Sequence, residues 1–422
     1  MSGSDYIFVT EGVNPPQAGL QAHTKVAGKS FHTAAASPFC EAGWTPDGFG
    51  LLFDAACYLL TLHPNYRSTG FFPSGSGLRQ VLEMHFRNVA NITVSAMVFA
   101  FSVWPAAAQT PVKFSLDFAV EGPSAPFLLP LDKGYYKAEG LDVTIDAAAG
   151  SLEPIQRVAS GAYDIGFGDI NSLIKFRDAN PAAPVKAVFM VYNRPPFSIV
   201  GRKSRGIVKP KDLEGKKLGA PTADGAYAQW PIFVKANDID ASKVTIENVG
   251  IPVREPMLAA GQIDAITGFS FSSFIDLKDR GVTVDDITVL LMADYGVNLY
   301  GNAIIVNAKF ASEHPDAVKG FLRAFLKGLK ETVKSPAAAI DSVLKRNDVA
   351  KKPVELERLQ MALRDNIITP EVKANGYGGI DTARFDKAIE QLALTYKFKV
   401  APKTDDVFDA SFLPPATERK FN

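Results

Sequence analysis

The sequence predicts an α/β fold of two lobes joined by two crossings of the chain. Three observations lead there. From Val112 onward, short apolar runs with strand-like alternation take turns with helical stretches, a pattern that layers helices on sheets. A second series of the same kind starts near Lys209–Leu213. The β-rich run Asn302–Asn307 comes only after that second series, where it leads back into the first.

The elements follow in order. Val112–Ala119 reads as a strand because Lys113, Ser115 and Asp117 alternate with Phe114, Leu116 and Phe118. Ser124–Lys133 reads as a helix closed by Gly134. Leu141–Ala147 is a second strand, Leu152–Ser160 a helix ended by Gly161, Asp164–Gly168 a short buried strand and Asn171–Asp178 a helix. Val185–Tyr192 and Phe197–Arg202 are apolar and β-rich. The second series holds strands at Lys217–Ala220, Val244–Val249, Asp264–Phe269 and Thr288–Met292, with helices near Tyr227–Asn237 and Glu255–Gly261. Pro252 precedes the latter, as suits a helix start. Helices follow at Pro315–Val333, Pro336–Leu344, Pro353–Asn366 and Asp381–Leu394. Lobe 1 is therefore expected over 109–203 and 303–422, and lobe 2 over 204–302.

Composition narrows the function. Lys and Arg number 45, as do Asp and Glu, so the formal charge is zero, and no basic run with interleaved aromatics points to nucleic acid. Both cysteines, Cys40 and Cys57, lie early, and His314 is the one histidine in the later chain. No thiolate or histidine cluster and no acidic calcium loop is visible, so no metal or cofactor is expected. A Ser-His-Asp set is not available either, and no catalytic residue is assigned.

Met84–Asn88 is a short basic stretch, Val89–Val103 a largely apolar run, and Ala106-x-Ala108 a small-residue exit. That is the pattern of a secretory signal peptide at 84–108, too short to be a good transmembrane helix. Residues 1–83 show no sustained period. They read as a non-native stretch before a true start at Met84, or as a genuine disordered extension.

Particular phrases resemble a known family. Lys133–Val143 reads Lys-Gly-Tyr-Tyr-Lys-Ala-Glu-Gly-Leu-Asp-Val; Ala159–Gly166, Asp212–Gly219 and Leu258–Ala265 supply further marks in the same order. Over about 113–400 these are similar to the solute-binding proteins of nitrate/sulfonate/taurine and thiamine-pyrimidine-precursor ABC importers. The resemblance implies a type II periplasmic binding protein with two hinge crossovers. It implies no enzyme activity, a small-molecule ligand, ABC permease and ATPase partners, a monomer and a periplasmic location. The pyrimidine-precursor binders resemble Asp-Trp-x-Pro-Asn-Thr-x-His in the first loop; here Asp117–Ser124 has neither the Asn nor the His. An enzyme of pyrimidine or thiamine-precursor metabolism on the same fold, or a periplasmic sensor module, are the rival readings.

Ligands on such sheets sit beyond the carboxyl ends of strands, at helix N-termini. Phe118, Glu121 and Ser124 lie in the loop after the first strand. Gly150 and Ser151 open a helix, to hold an anion or carbonyl or simply as an N-cap. Asp169 and Asn171 follow the third strand, where Asp169 caps a helix or binds a ligand amine or hydroxyl. Thr222, Asp224, Gly225 and Tyr227 form a small-residue turn in lobe 2 that lacks the Lys-Ser/Thr of a P-loop. Arg254 clamps a carboxylate or sulfonate, or forms a solvated pair with Glu255. Phe269, with Phe271 and Tyr227, supplies a stacking wall or is core.

Overall fold

The computed structural model describes residues 109–421. The signal peptide read at 84–108 and the stretch 1–83 lie outside the described residues. The strands, in chain order, are β1 (Thr110–Ser115), β2 (Leu141–Asp146), β3 (Ile165–Asp169), β4 (Val185–Met190), β5 (Phe197–Arg202), β6 (Lys217–Gly219), β7 (Thr245–Glu247), β8 (Ala265–Phe269), β9 (Ile287–Leu291) and β10 (Asn302–Asn307). They form two five-stranded sheets, ordered β2-β1-β3-β10-β4 and β7-β6-β8-β5-β9.

Within each sheet the strands of one series run parallel, and one strand from the far side of the crossing is inserted antiparallel. β10 lies antiparallel between β3 and β4, and β5 lies antiparallel between β8 and β9. The inserted strands are apolar on both faces because helices cover both; every residue of β10 is buried. The edge strand β2 instead alternates, with Leu141 and Val143 in and Asp142 and Thr144 out.

The helices of seven residues or more are α1 (Ala125–Asp132), α2 (Leu152–Ala159), α3 (Ile170–Ala179), α4 (Trp230–Ala236), α5 (Ile251–Ala259), α6 (Ser270–Asp279), α7 (Pro315–Lys334), α8 (Pro336–Leu344), α9 (Lys352–Ala362) and α10 (Thr382–Ala393). In the first lobe, α7 drives Phe321 and Phe325 against Phe114 and Phe127 of β1 and α1. The Phe127–Phe325 ring centroids are 4.6 Å apart and the Phe114–Phe127 centroids 5.0 Å. Gly328 permits this approach, since a Cβ there would stand 2.2 Å from Cγ of Pro130.

Two sequence expectations are corrected, and one helix was not read from the sequence. β5, expected in lobe 1, pairs with β8 and β9 in the second sheet, so the first crossing lies at 191–196 rather than after 203. An apolar strand buried on both faces carries no mark of which sheet it joins. The first strand ends at Ser115, and Leu116–Ala119 leave the sheet to form the loop that follows. α6 was not foreseen.

The two crossings touch each other. The Gly301 N–H donates to the Tyr192 carbonyl (2.9 Å), and the Val191 and Tyr192 N–H groups donate to the Asn302 carbonyl (3.1 and 2.9 Å). Arg384 of α10 ties both. Its guanidinium donates to the Asn193 side chain (3.1 Å), the Asn193 carbonyl (2.8 Å) and the Leu299 carbonyl (2.9 Å), and stacks 3.9 Å over Tyr300.

Candidate functional site

The loops after β1 and β2 face the second lobe's loops after β6 and β8. Between them lie two small adjoining cavities, which share Asp117, Phe118, Phe269 and Ser272 as walls. The first is completed by Glu121, Ser124, Phe127, Phe167, Tyr192 and Phe271, the second by Gly150, Ser151, Asp224, Ile251 and Arg254.

The lobes are in contact around these cavities. Gln229 of the second lobe donates to Asp169 of the first (3.3 Å), and Lys175 reaches the Ala228 carbonyl (2.7 Å). The Ser272 hydroxyl donates to Glu121 (2.9 Å). A Cβ on Gly150 would stand 2.6 Å from the Ala223 carbonyl, and Gly150 holds φ at +110°. Only glycine combines that backbone with that approach.

Of the residues singled out in the sequence, Phe118, Glu121, Ser124, Gly150, Ser151, Asp224, Arg254 and Phe269 line the cavities. The others stand elsewhere. Asp169 is fully buried and spent on capping α3, accepting from the Asn171 and Ser172 N–H groups and the Ser172 hydroxyl. Asn171 is buried behind it, donating to Asp169 and to the Tyr300 carbonyl. Thr222 is exposed and bonds Asn248. Gly225 packs on Ser151 and Phe197, and Tyr227 packs against the apolar core beneath. Asp117, Tyr192 and Ser272 were missed. Asp117 had a signal, an acid where the first strand meets its turn; Tyr192 and Ser272 had none, since they reach the cleft through the crossing and through α6.

The electrostatics are dominated by acids. Asp117 accepts from Asn302 Nδ2 (2.7 Å), and burial pushes its carboxyl up to about 7. Burial likewise pushes Glu121 up to about 7, against the pull of Arg358. Arg254 is no open clamp. Its Nε donates to Glu255 (2.6 Å), Nη1 lies 3.6 Å from Asp224, and all three side chains are buried. Asp224 also accepts from the Thr267 hydroxyl (2.7 Å). Each cation at the cleft is thus matched or outnumbered by carboxylates, so an anionic ligand would meet no unpaired positive charge. Tyr192, Phe269 and Phe271 stand mutually edge-on, with centroids 5.8–6.4 Å apart, an apolar wall with acceptors beside it. Among the described residues, no group of three or more His, Cys, Asp or Glu side chains is placed to hold a metal ion. His314 lies outside the cleft, its ring tilted against Phe310.

Comparison with known proteins agrees with this architecture. Residues 123–339 match the family model described as NMT1/THI5 like. A riboflavin-binding protein of Chloroflexus aurantiacus is 26% identical over 219 residues, 51% of this chain and 61% of that protein; the match spans less than two thirds of that relative. A formylaminopyrimidine-binding protein of Halalkalibacterium halodurans is 27% identical over 286 residues, 67% of this chain and 84% of that protein. Fungal relatives from Aspergillus parasiticus and Schizosaccharomyces pombe, both 24% identical over 60% and 52% of this chain and 78% and 66% of their own, are named 4-amino-5-hydroxymethyl-2-methylpyrimidine phosphate synthases. Among solved structures, the alkanesulfonate-binding protein of Xanthomonas axonopodis superposes with a TM-score of 0.56 at 14% identity, over 73% of this chain and 99% of its own. The fold is that of the two-lobed periplasmic binding proteins.

Proposed function

This chain belongs to the NMT1/THI5-like family, and on that premise we propose that it is the solute-binding subunit of an ABC importer. It takes up a flat nitrogen heterocycle that presents N–H donors. Ligand contacts from both lobes shift the population further toward the closed form, and that form is what the permease and its ATPase read. The protein acts as a secreted monomer in the periplasm, delivered by the signal read at 84–108.

The carrying observation is the pairing of Arg254 with Asp224 and Glu255, beside the carboxyl groups of Asp117 and Glu121 that border the cavities. A sulfonate or nitrate would have to displace a carboxylate from the arginine. An aminopyrimidine-like ring instead brings donors to acceptors and a flat face to Tyr192 and Phe269. The relatives named for formylaminopyrimidine and riboflavin support the same chemistry.

The relatives named as synthases give a second reading, an enzyme on this fold. His314 rests against Phe310 outside the cleft, which favours capture over conversion. The test is calorimetric titration of refolded protein with aminopyrimidines, riboflavin, alkyl sulfonates and nitrate, followed by mass spectrometry of the recovered ligand. Saturable binding of one heterocycle, recovered unchanged, is expected. A converted ligand would transfer the protein to the enzymes, and preference for sulfonate or nitrate would refute the heterocycle.

A further inference from the structure

Arg358 stands where three parts of the molecule meet. It lies on α9, a helix of the C-terminal segment that packs on the first-lobe turn Gly122–Ser124 and on second-lobe α6. Its side chain is 4% exposed. The guanidinium reaches Asp276 (2.8 Å) and the Ser272 carbonyl (3.2 Å) on α6. On the first-lobe side it faces Glu355 (3.2 Å) and Glu121 (3.4 Å). Glu355 is itself fixed by the Gly122 N–H (2.6 Å). Two exposed pairs, Lys278–Glu357 and Lys351–Asp279, flank the same seam at 2.8 and 2.9 Å.

The partition of these charges between lobes is informative. Arg358, Glu355 and Glu121 travel with the first lobe, and Asp276 with the second. A rotation of the second lobe that opened the cleft would strip Asp276 and the Ser272 carbonyl from the guanidinium and leave the other partners in place. These contacts are therefore available only to the closed form, which is what a difference between two states requires. Glu121 belongs to both systems: it borders the first cavity and touches Arg358 and Ser272.

We propose that Arg358, Asp276 and Glu121 form a latch between the lobes, in which Arg358 and Asp276 are positioning residues that hold the closed form and Glu121 reports ligand to them. A ligand donor on Glu121 favours its buried carboxylate in the ionised form. An ionised Glu121 in turn holds the guanidinium toward α6. The latch itself stands on the lobe contacts alone; only its link to ligand rests on the binding function proposed above.

The test uses the full chain and the substitution Asp276→Asn, at a side chain 30% exposed and outside both cavities. Glu357→Gln, in the exposed flanking pair, is the control. Without ligand, small-angle scattering should give Asp276→Asn a larger radius of gyration than wild type, with Glu357→Gln unchanged. With 4-amino-5-hydroxymethyl-2-methylpyrimidine as probe, Asp276→Asn should release it about ten-fold faster at an unchanged association rate, the signature of a lost charge pair that only the closed form makes. A wild-type radius for Asp276→Asn, or equal effects of the two substitutions, would overturn the latch. Failure of the probe to bind any of the chains would count against the proposed ligand alone and leave the radius to decide.

Discussion

At the scale of single residues, Asp117 carries the sharpest consequence. Burial holds its folded-state carboxyl at about 7, against an ordinary value of 3.8. The folded chain therefore binds this proton more tightly than the unfolded chain does. Its contribution to stability is present below the ordinary value and is lost as pH rises through about 7. Between pH 5 and pH 8, wild type should lose more stability than Asp117→Asn, by up to about 3 kcal/mol. Urea unfolding of both chains at the two pH values measures it, and parallel losses would show that Asp117 ionises without cost. Sequence could not separate such roles. Asp169 and Asp224 both follow strands and both precede helices, yet one is spent on capping α3 and the other borders the cleft. Arg254 and Glu255 are neighbours in the chain, and flanking prolines gave no sign that the pair is buried.

At the scale of elements, most strands and helices were legible because alternation and helical period survive in the sequence. α6 was not. It opens Ser-Phe-Ser-Ser-Phe, weak helix formers, after an N-cap Phe269 that makes no side-chain cap. Its helix exists because Phe271, Ile275 and Leu277 find buried positions. β5 was legible as a strand but not as a member of the second sheet, since pairing is decided by partners far away in the chain. The α1–α7 contact was equally hidden, although both helices were expected. Gly328→Ala tests it. The new methyl gains roughly 1 kcal/mol of helix propensity, but its Cβ would lie 2.2 Å from Pro130 and 2.9 Å from the Pro126 carbonyl. Overpacking of this kind costs about 1–3 kcal/mol, so a net loss should appear in denaturant unfolding. A gain would mean that α7 shifts freely over α1.

At the scale of the whole molecule, two lobes and two crossings could be read from the order of the elements, but the contacts between the lobes could not. Glu121 and Ser272, or Gly150 and Ala223, share no local pattern. Gly150→Ala probes them together, because it opposes both the +110° backbone and the approach of Ala223. The strain is about 1–3 kcal/mol, so affinity for the heterocycle should fall about ten-fold or more, measured by titration. Wild-type affinity would show that closure does not bring these loops together. The interleaved order of strands also bears on how the chain acquires its shape. All five strands of the second sheet lie within 197–291, and it can assemble as soon as that stretch is available. The first sheet cannot: β3 and β4 are joined only through β10, which arrives after the whole of the other lobe. A growing or translocating chain thus carries an unfinished sheet with two open edges until residue 307 is free, and such edges invite pairing with other chains. The period of greatest risk from aggregation falls before the last third of the protein has been delivered.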